Sequence, residues 1–418
     1  MSVMKLNKWL SGLILSLVVF SSSMVSPVDA ASTPTLKWKV STLNPSTSYR
    51  TSALASINST GSKTWTVSGS CKLKAGKITT KASGFCTVKL KVGSKGKFSS
   101  KNFSKKFKIQ VADSSATSVV LPTSFTNRTT SNGLGNNSVT AVQVVGTTVY
   151  AATFGGGLSI STDGGSTFTS RTTANGLGNN TLFGVFVNGS SVFAATIGGG
   201  LSVSTDGGNT FASRNTVSGF GDLYAYKVIS AGTKVFAGTA GGLGISTDGG
   251  NTFTSRTTAN GLGNNGIYSI YDTGSTLYAG TYTGGLSIST DGGNTFTTRT
   301  TANGLGSNTV RGVQAIGTTV YAATDGGLSI STDGGNTFTT RTTANGLGLN
   351  KLTAVQVVGS TVYAATYGGG LSISTDGGNS FRNYSTAQGL GSNTVLDLFV
   401  VGSKVYVATE NGGLSISN

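Results

Sequence analysis

The chain has no histidine, two cysteines, four prolines and a single glutamate, Glu410, and only 10% of its 418 residues are charged. Each scarcity excludes something. Without histidine and with one glutamate, general acid–base chemistry has few candidates. Two cysteines without histidine cannot complete a structural zinc site, so neither a metal nor a cofactor is expected. Scarce proline rules out a proline-rich linker, and low charge rules out a coiled coil. What is plentiful is glycine, 63 residues, together with serine and threonine. That balance fits an all-β exported protein.

Long apolar runs are also missing, except at the N-terminus. Lys5 and Lys8 precede the apolar stretch Leu10 to Phe20, and Pro27-Val28-Asp29-Ala30 offers a small-residue cleavage site. The stretch is shorter than the ~20 residues a spanning helix needs, so residues 1–30 read as a signal peptide cut after Ala30 or Ala31. No cysteine follows directly, which excludes lipoprotein processing. The mature chain is expected to be monomeric and soluble, with no membrane span, in the extracellular space, at the cell surface or in the periplasm. In such an oxidising compartment Cys71 and Cys86 are expected to form a disulfide.

Charge is divided unevenly. Residues 32–113 carry 16 Lys/Arg against one acid, a net charge of +15, whereas residues 114–418 carry 12 against 11, a net of +1. A basic domain over 32–113, a linker over 114–121 and a nearly neutral domain over 122–418 follow. In the basic domain Thr64–Val67, Cys86–Val92 and Phe107–Val111 alternate apolar and polar residues, as half-buried strands do. They predict a small β-sandwich pinned by the disulfide. Its lysines either attract anionic polymers of a cell envelope or keep the surface soluble and its edge strands blunt. Export and the lack of any nucleic-acid motif argue against nucleic acid.

The neutral domain is an internal repeat. Ser-Thr-Asp-Gly-Gly-x-Thr/Ser-Phe occurs six times, with aspartates at Asp163, Asp206, Asp248, Asp291, Asp333 and Asp376, spaced 42 or 43 residues apart. Gly-Leu/Phe-Gly occurs seven times, beginning at Gly133, Gly176, Gly219, Gly261, Gly304, Gly346 and Gly389. The last copy stops at Asn418 before its aspartate, and the first begins at Phe125, in the segment that elsewhere follows it. One unit is therefore split between the two ends of the domain. Each unit holds four strand-like runs, for instance Val310–Ala315, Thr319–Ala323, Leu328–Ser331 and Thr337–Arg341. Four short strands per unit predict a seven-bladed β-propeller closed by its split blade, which removes exposed sheet edges. The rival is an open β-solenoid.

The motif Ser-x-Asp-x-Gly-x-Thr-Phe resembles the Asp-box (BNR) repeat of sialidase-like propellers, with Phe where Trp is common. Asn-Gly-Leu-Gly-x-Asn together with Val-Tyr-Ala-Ala-Thr-x-Gly-Gly-Leu resembles the propeller repeat of two-component regulator sensors. Both resemblances cover residues 122–418 and imply the fold. They imply little about function, because such propellers serve hydrolases, sorting receptors, assembly factors and lectins. Residues 32–113 resemble bacterial immunoglobulin-like domains.

A sialidase would need three converging arginines, a Tyr–Glu nucleophile pair and an acid. Here Arg128, Arg171, Arg214, Arg256, Arg299 and Arg341 are one repeated scaffold position. The aspartates of the repeat are expected to accept hydrogen bonds from their own turns, since each box offers one carboxylate and a calcium loop needs several. No catalytic residue is assigned. A sialidase-like glycoside hydrolase or lyase using Asp325, Asp397 or Glu410 is the alternative, and a purely structural extracellular protein is another.

Two positions vary while their surroundings hardly change. After Ala-Thr or its equivalent stand Phe154, Ile197, Ala240, Tyr282, Asp325, Tyr367 and Glu410. Five residues after Gly-Leu-Gly stand Thr140, Phe183, Tyr226, Tyr268, Arg311, Thr353 and Leu396. Both sets should meet on one face of the ring, opposite the aspartates. Phe154, Phe183, Tyr226, Tyr268, Tyr282, Arg311, Asp325, Tyr367 and Glu410 are the expected ligand contacts, for a glycan or a protein.

Overall fold

A computed structural model of the chain describes residues 35–38, 48–50, 55–57, 62–69, 71–74, 77–80, 84–95, 100–109 and 121–418. The expected signal peptide and all but the last residue of the expected linker lie outside the described residues. The chain divides into two compact units, Met1–Ser114 and Ser115–Asn418. No helix among the described residues is long and apolar enough to cross a membrane.

In the second unit a Val- and Ala-rich strand alternates with glycine turns, and the result is a β-propeller. Sheet I consists of Val139–Val145, Thr148–Thr153, Gly157–Ser161 and Thr169–Arg171, each antiparallel to the next. Sheets II to VII begin with the inner strands Leu182–Asn188, Ala225–Ala231, Ile267–Asp272, Val310–Ile316, Leu352–Val358 and Val395–Val401. Each has four strands among the described residues. Consecutive inner strands pack on one another, and that of sheet VII packs on that of sheet I, so the sheets form a ring. Sheet VII takes its outer strand from the start of the unit. Phe125–Arg128 pairs with Gly413–Ser417, and the Asn418 amide donates to the Ser124 carbonyl at 3.1 Å.

The second strand of each sheet shows why the repeat reads as continuously apolar. In Thr148–Thr153, Val149 and Ala151 pack with Tyr406, Ala408, Leu414 and Ile416 of sheet VII. Tyr150 and Ala152 pack with Leu182, Val185 and Val192 of sheet II. Both sides of the strand face another sheet, so neither can be polar. The paired alanines, fully buried, let neighbouring sheets approach closely.

The repeated aspartate and arginine form one device. Asp163 Oδ1 accepts from Ser161 Oγ at 2.6 Å and from the Ser166 amide at 2.8 Å, and Oδ2 accepts from Thr167 Oγ1 at 2.6 Å. The same pattern recurs at the other five aspartates. These bonds, led at Asp163 by the one from Ser161, hold the carboxyl well below the usual carboxylate range. Gly165 sits at φ +92°, and a Cβ there would stand 2.6 Å from Ile416 Cδ1 of the preceding sheet. The repeated arginine reaches the following sheet's turn: Arg128 Nε donates to Gly165 O at 2.8 Å, and Arg214 Nη2 to Asn251 Oδ1 at 2.9 Å.

Sheet VI is the exception, and the ring explains it. In the neighbouring sheet VII, Gly413–Ser417 pairs with Phe125–Arg128 from the other end of the unit, and no aspartate turn joins these two strands among the described residues. Tyr384 takes the position, fully buried, with its ring edge-on to Phe125 at 6.2 Å. Its hydroxyl has no hydrogen-bond partner among the described residues.

The first unit contains sheets of two and three strands. Lys63–Gly69, Gly84–Val92 and Lys101–Ile109 form one, in that order, and Ser48–Arg50, Lys77–Thr80 and Cys71–Lys74 another. Leu36–Trp38 pairs with Ala55–Ile57. The strand expected at Phe107–Val111 starts six residues earlier, at Lys101. Its first half carries Lys101, Asn102, Ser104 and Lys105, whose polarity hid it from a pattern search. Cys71 is buried, at the start of its strand. The Cys86 side chain lies outside the described residues, so the pairing of the two is carried forward as a proposal.

Candidate functional site

Strand direction sorts the loops between two ends of the sheets. The turn joining strands one and two and the aspartate turn share one end, where the Gly164 amide donates to Thr147 O at 3.0 Å. The turn joining strands two and three, which holds Phe154 and its counterparts, lies at the other end. So does the entry to each inner strand.

At that entry every sheet carries a β-bulge. The register with strand two shifts between Val139 and Ala141, Leu182 and Gly184, Ala225 and Lys227, Ile267 and Ser269, Val310 and Gly312, Leu352 and Ala354, and Val395 and Asp397. The extra residue is the variable one: Thr140, Phe183, Tyr226, Tyr268, Arg311, Thr353 and Leu396. A bulge re-aims its side chain out of the regular pleat. All seven line one cavity of about 340 Å³, together with Tyr367, Lys227 and Asp397 among others.

The aromatic members form a continuous arc across neighbouring sheets. Phe154 meets Phe183 edge-to-face at 6.4 Å between centroids, Phe183 meets Tyr226 at 6.1 Å, Tyr226 meets Tyr268 at 5.2 Å, and Tyr268 meets Tyr282 at 5.6 Å. Such offset pairs each add ~0.5–1.5 kcal/mol beyond area burial. The arc ends at Arg311, whose guanidinium lies 5.3 Å from the Tyr268 ring centroid and donates to Asp325 through Nε at 2.6 Å and Nη2 at 3.1 Å. Burial works against the Arg311 charge, but the hydrogen bonds to Asp325 and the charge of Asp325, with smaller contributions from Tyr268 and Tyr282, together outweigh it and keep the guanidinium protonated. Burial first, then the neighbouring Tyr268 and Asp222, raises the Tyr226 hydroxyl pKa, and burial raises that of Tyr268 against an opposing pull from Arg311. Both therefore offer O–H donors at neutral pH. Phe154 is 53% and Tyr282 49% exposed, large apolar rings left open to solvent.

Other expected residues are placed differently. Phe154 and Tyr282 belong to the arc and Asp325 pairs with its end without lining the cavity, and Glu410 is neither in the arc nor in the lining. Thr140 and Thr353 donate their hydroxyls to Leu182 O and Val395 O of the next sheet, both at 2.7 Å, and so act as staples. Among the remaining acids, Asp397 accepts from the Val142 amide, Asp222 from that of Tyr224 and Asp272 from that of Gly274. No group of three or more metal-ligating side chains occurs among the described residues.

Two rim residues were missed. Each residue of the Phe154 set donates its amide to the carbonyl of a third repeat position, occupied by Ser138, Thr181, Tyr224, Gly266, Thr309, Lys351 and Thr394. Tyr224 is half exposed, and Lys351 Nζ sits 4.3 Å from the Tyr367 ring centroid. Both depart from the small residues that fill this third column in the other repeats. Lys227, in the cavity wall next to a bulge, departs from its own column in the same way.

No protein-family model matches the chain, and no curated protein matches it. Solved structures do. The extracellular domain of the hybrid two-component system BT3049 from B. thetaiotaomicron superposes with a TM-score of 0.60 at 18% identity, over 71% of this chain and 42% of that one. That of the one-component system BT4673 from the same organism gives 0.58 at 18% identity, over 71% and 40%. The chain thus spans less than half of either. YCF48 from Cyanidioschyzon merolae gives 0.51 at 16% identity, over 72% and 97%. At these identities the likeness is one of fold, a β-propeller.

Proposed function

We propose that this is an exported binding protein that performs no catalysis. On this reading residues 1–30 are a signal peptide and 122–418 a seven-bladed propeller of the Asp-box kind. The propeller captures a glycan or protein ligand at one mouth, while the basic residues 32–113, pinned by a Cys71–Cys86 disulfide, attach the chain to an anionic envelope polymer. One observation carries the ligand site. The variable residue at the entry to each inner strand is lifted by a bulge into a single cavity, and an arc of aromatic rings, partly exposed, runs across neighbouring sheets beside it. Such a site, mostly apolar with a few placed polar groups, is the usual form of a recognition pocket. Hydrolysis is the weaker reading, because Asp325 is held by Arg311 and Asp397 by the Val142 amide.

The test is capture on glycan and peptide arrays by the chain and by its Phe183→Ala, Tyr282→Ala, Tyr367→Ala triple variant. Specific capture that the variant loses while keeping its melting temperature supports the site. Capture unchanged in the variant rejects it.

A further inference from the structure

The net charge of the first unit is spread through its sequence, but one sheet face arranges part of it. In the central strand Gly84–Val92, Val88, Leu90 and Val92 are buried, while Lys89 and Lys91 are exposed on the opposite face. The register sets each lysine in a row across three strands: Thr66, Lys89 and Ser104 in one, Thr64, Lys91 and Asn102 in the next. All six are exposed, and they line one shallow groove. Neighbours in a row stand ~5 Å apart, and the two lysines, two residues apart on one strand, ~7 Å.

Three features define what this face accepts. Neither ammonium group has a hydrogen-bond or ion-pair partner among the described residues, and residues 32–112 contain no carboxylate to supply one. Each lysine is flanked on both sides by a hydroxyl or amide, donors that suit an anion with several acceptor oxygens better than a planar carboxylate. None of the six exposed residues is aromatic, and Phe103, which also lines the groove, is half-buried with Lys101 Nζ 5.5 Å from its ring centroid, a poor platform for a stacked nucleobase. We infer that this face binds a linear polymer bearing repeated phosphate groups, each lysine row receiving one phosphate. The inference rests on the attachment reading above and names both the face and the chemistry.

Equilibrium binding of the full mature chain to fluorescent inorganic polyphosphate, followed over a salt series, tests it. Polygalacturonate serves as the carboxylate polymer. Lys89→Gln with Lys91→Gln should weaken polyphosphate binding about tenfold, and the slope of log affinity against log salt should fall by about 1.4, as two lost contacts do on single-stranded nucleic acid. Lys72→Gln with Lys74→Gln, the same loss of charge on another sheet, should stay within twofold of the parent. Lys89→Arg with Lys91→Arg should retain binding, and circular dichroism should show all variants folded. An equal loss in the Lys72/Lys74 variant overturns the face, and equal affinity for polygalacturonate overturns the phosphate assignment. If the unaltered chain binds neither polymer, the attachment reading itself fails.

Discussion

A single carboxylate in each repeat does work that its surface position hides. The six turn aspartates lie at the surface, yet each accepts bonds from its own turn that favour the charged form. Their folded pKa values are depressed, so the stability they contribute is complete above the unfolded value of about 3.9 and is lost as pH falls below it. Thermal melts from pH 7 down to 2 should therefore hold level to about pH 4 and then drop. Asp206→Asn should lower the pH 7 melting temperature and flatten that drop, and an unchanged profile would remove the aspartates from the scaffold. Tyr384 allows a sharper test at the same scale. With its hydroxyl buried and unpartnered, Tyr384→Phe should change stability by less than about 1 kcal/mol or raise it. Tyr384→Arg would restore the repeat's consensus yet bury a charge against the Phe125 ring, and should cost more than about 3 kcal/mol in denaturant titrations. The opposite order would mean that the ring does not close where Phe125 meets Tyr384.

Elements show where sequence reasoning succeeds and where it stops. Strand positions in the propeller were legible because the repeat averages out local ambiguity: Thr319–Ala323 was expected and Thr319–Thr324 is found. The bulges were not legible. A bulge is one residue more on one strand than on its partner, a relation between two strands that neither sequence displays. Phe183, Tyr226 and Arg311 could be recognised as variable, but not as lifted from the pleat. Lys351 and Tyr224 are tied to the rim by backbone bonds from Tyr367 and Ala240, a pairing across the sheet that the sequence does not display. In the first unit, lysine-rich Lys101–Lys105 concealed half a strand, since alternation fails as a signal when both faces carry polar residues. The proposed Cys71–Cys86 bond would tie the strand Cys71–Lys74 to Gly84–Val92. Reductant should then destabilise the first unit by ~3 kcal/mol, the chain-entropy value for a loop of that size. The propeller transition should stay in place. A first transition indifferent to reductant would show that no such bond supports it.

At the scale of the molecule, repetition and difference divide the labour. Near-identical sheets, each buried on both sides and all but sheet VI stapled to the next by arginine, give a ring whose geometry does not depend on the residues at its mouth. Those residues are therefore free to differ, and five of them form an aromatic arc ending at the Arg311–Asp325 pair. The second unit thus presents one site with strong individual character, and its far end presents the same turn six times. The most direct test is calorimetric titration of one array-selected ligand into three proteins: the unaltered chain, the Phe183, Tyr282, Tyr367 triple alanine variant, and an Asn209→Ala, Asn294→Ala variant altered only in the aspartate turns. Affinity should fall at least a hundredfold in the triple variant, consistent with several aromatic anchors lost together, and hold in the turn variant. Equal affinity in the triple variant, or a loss confined to the turn variant, would contradict a ligand site at the bulged mouth.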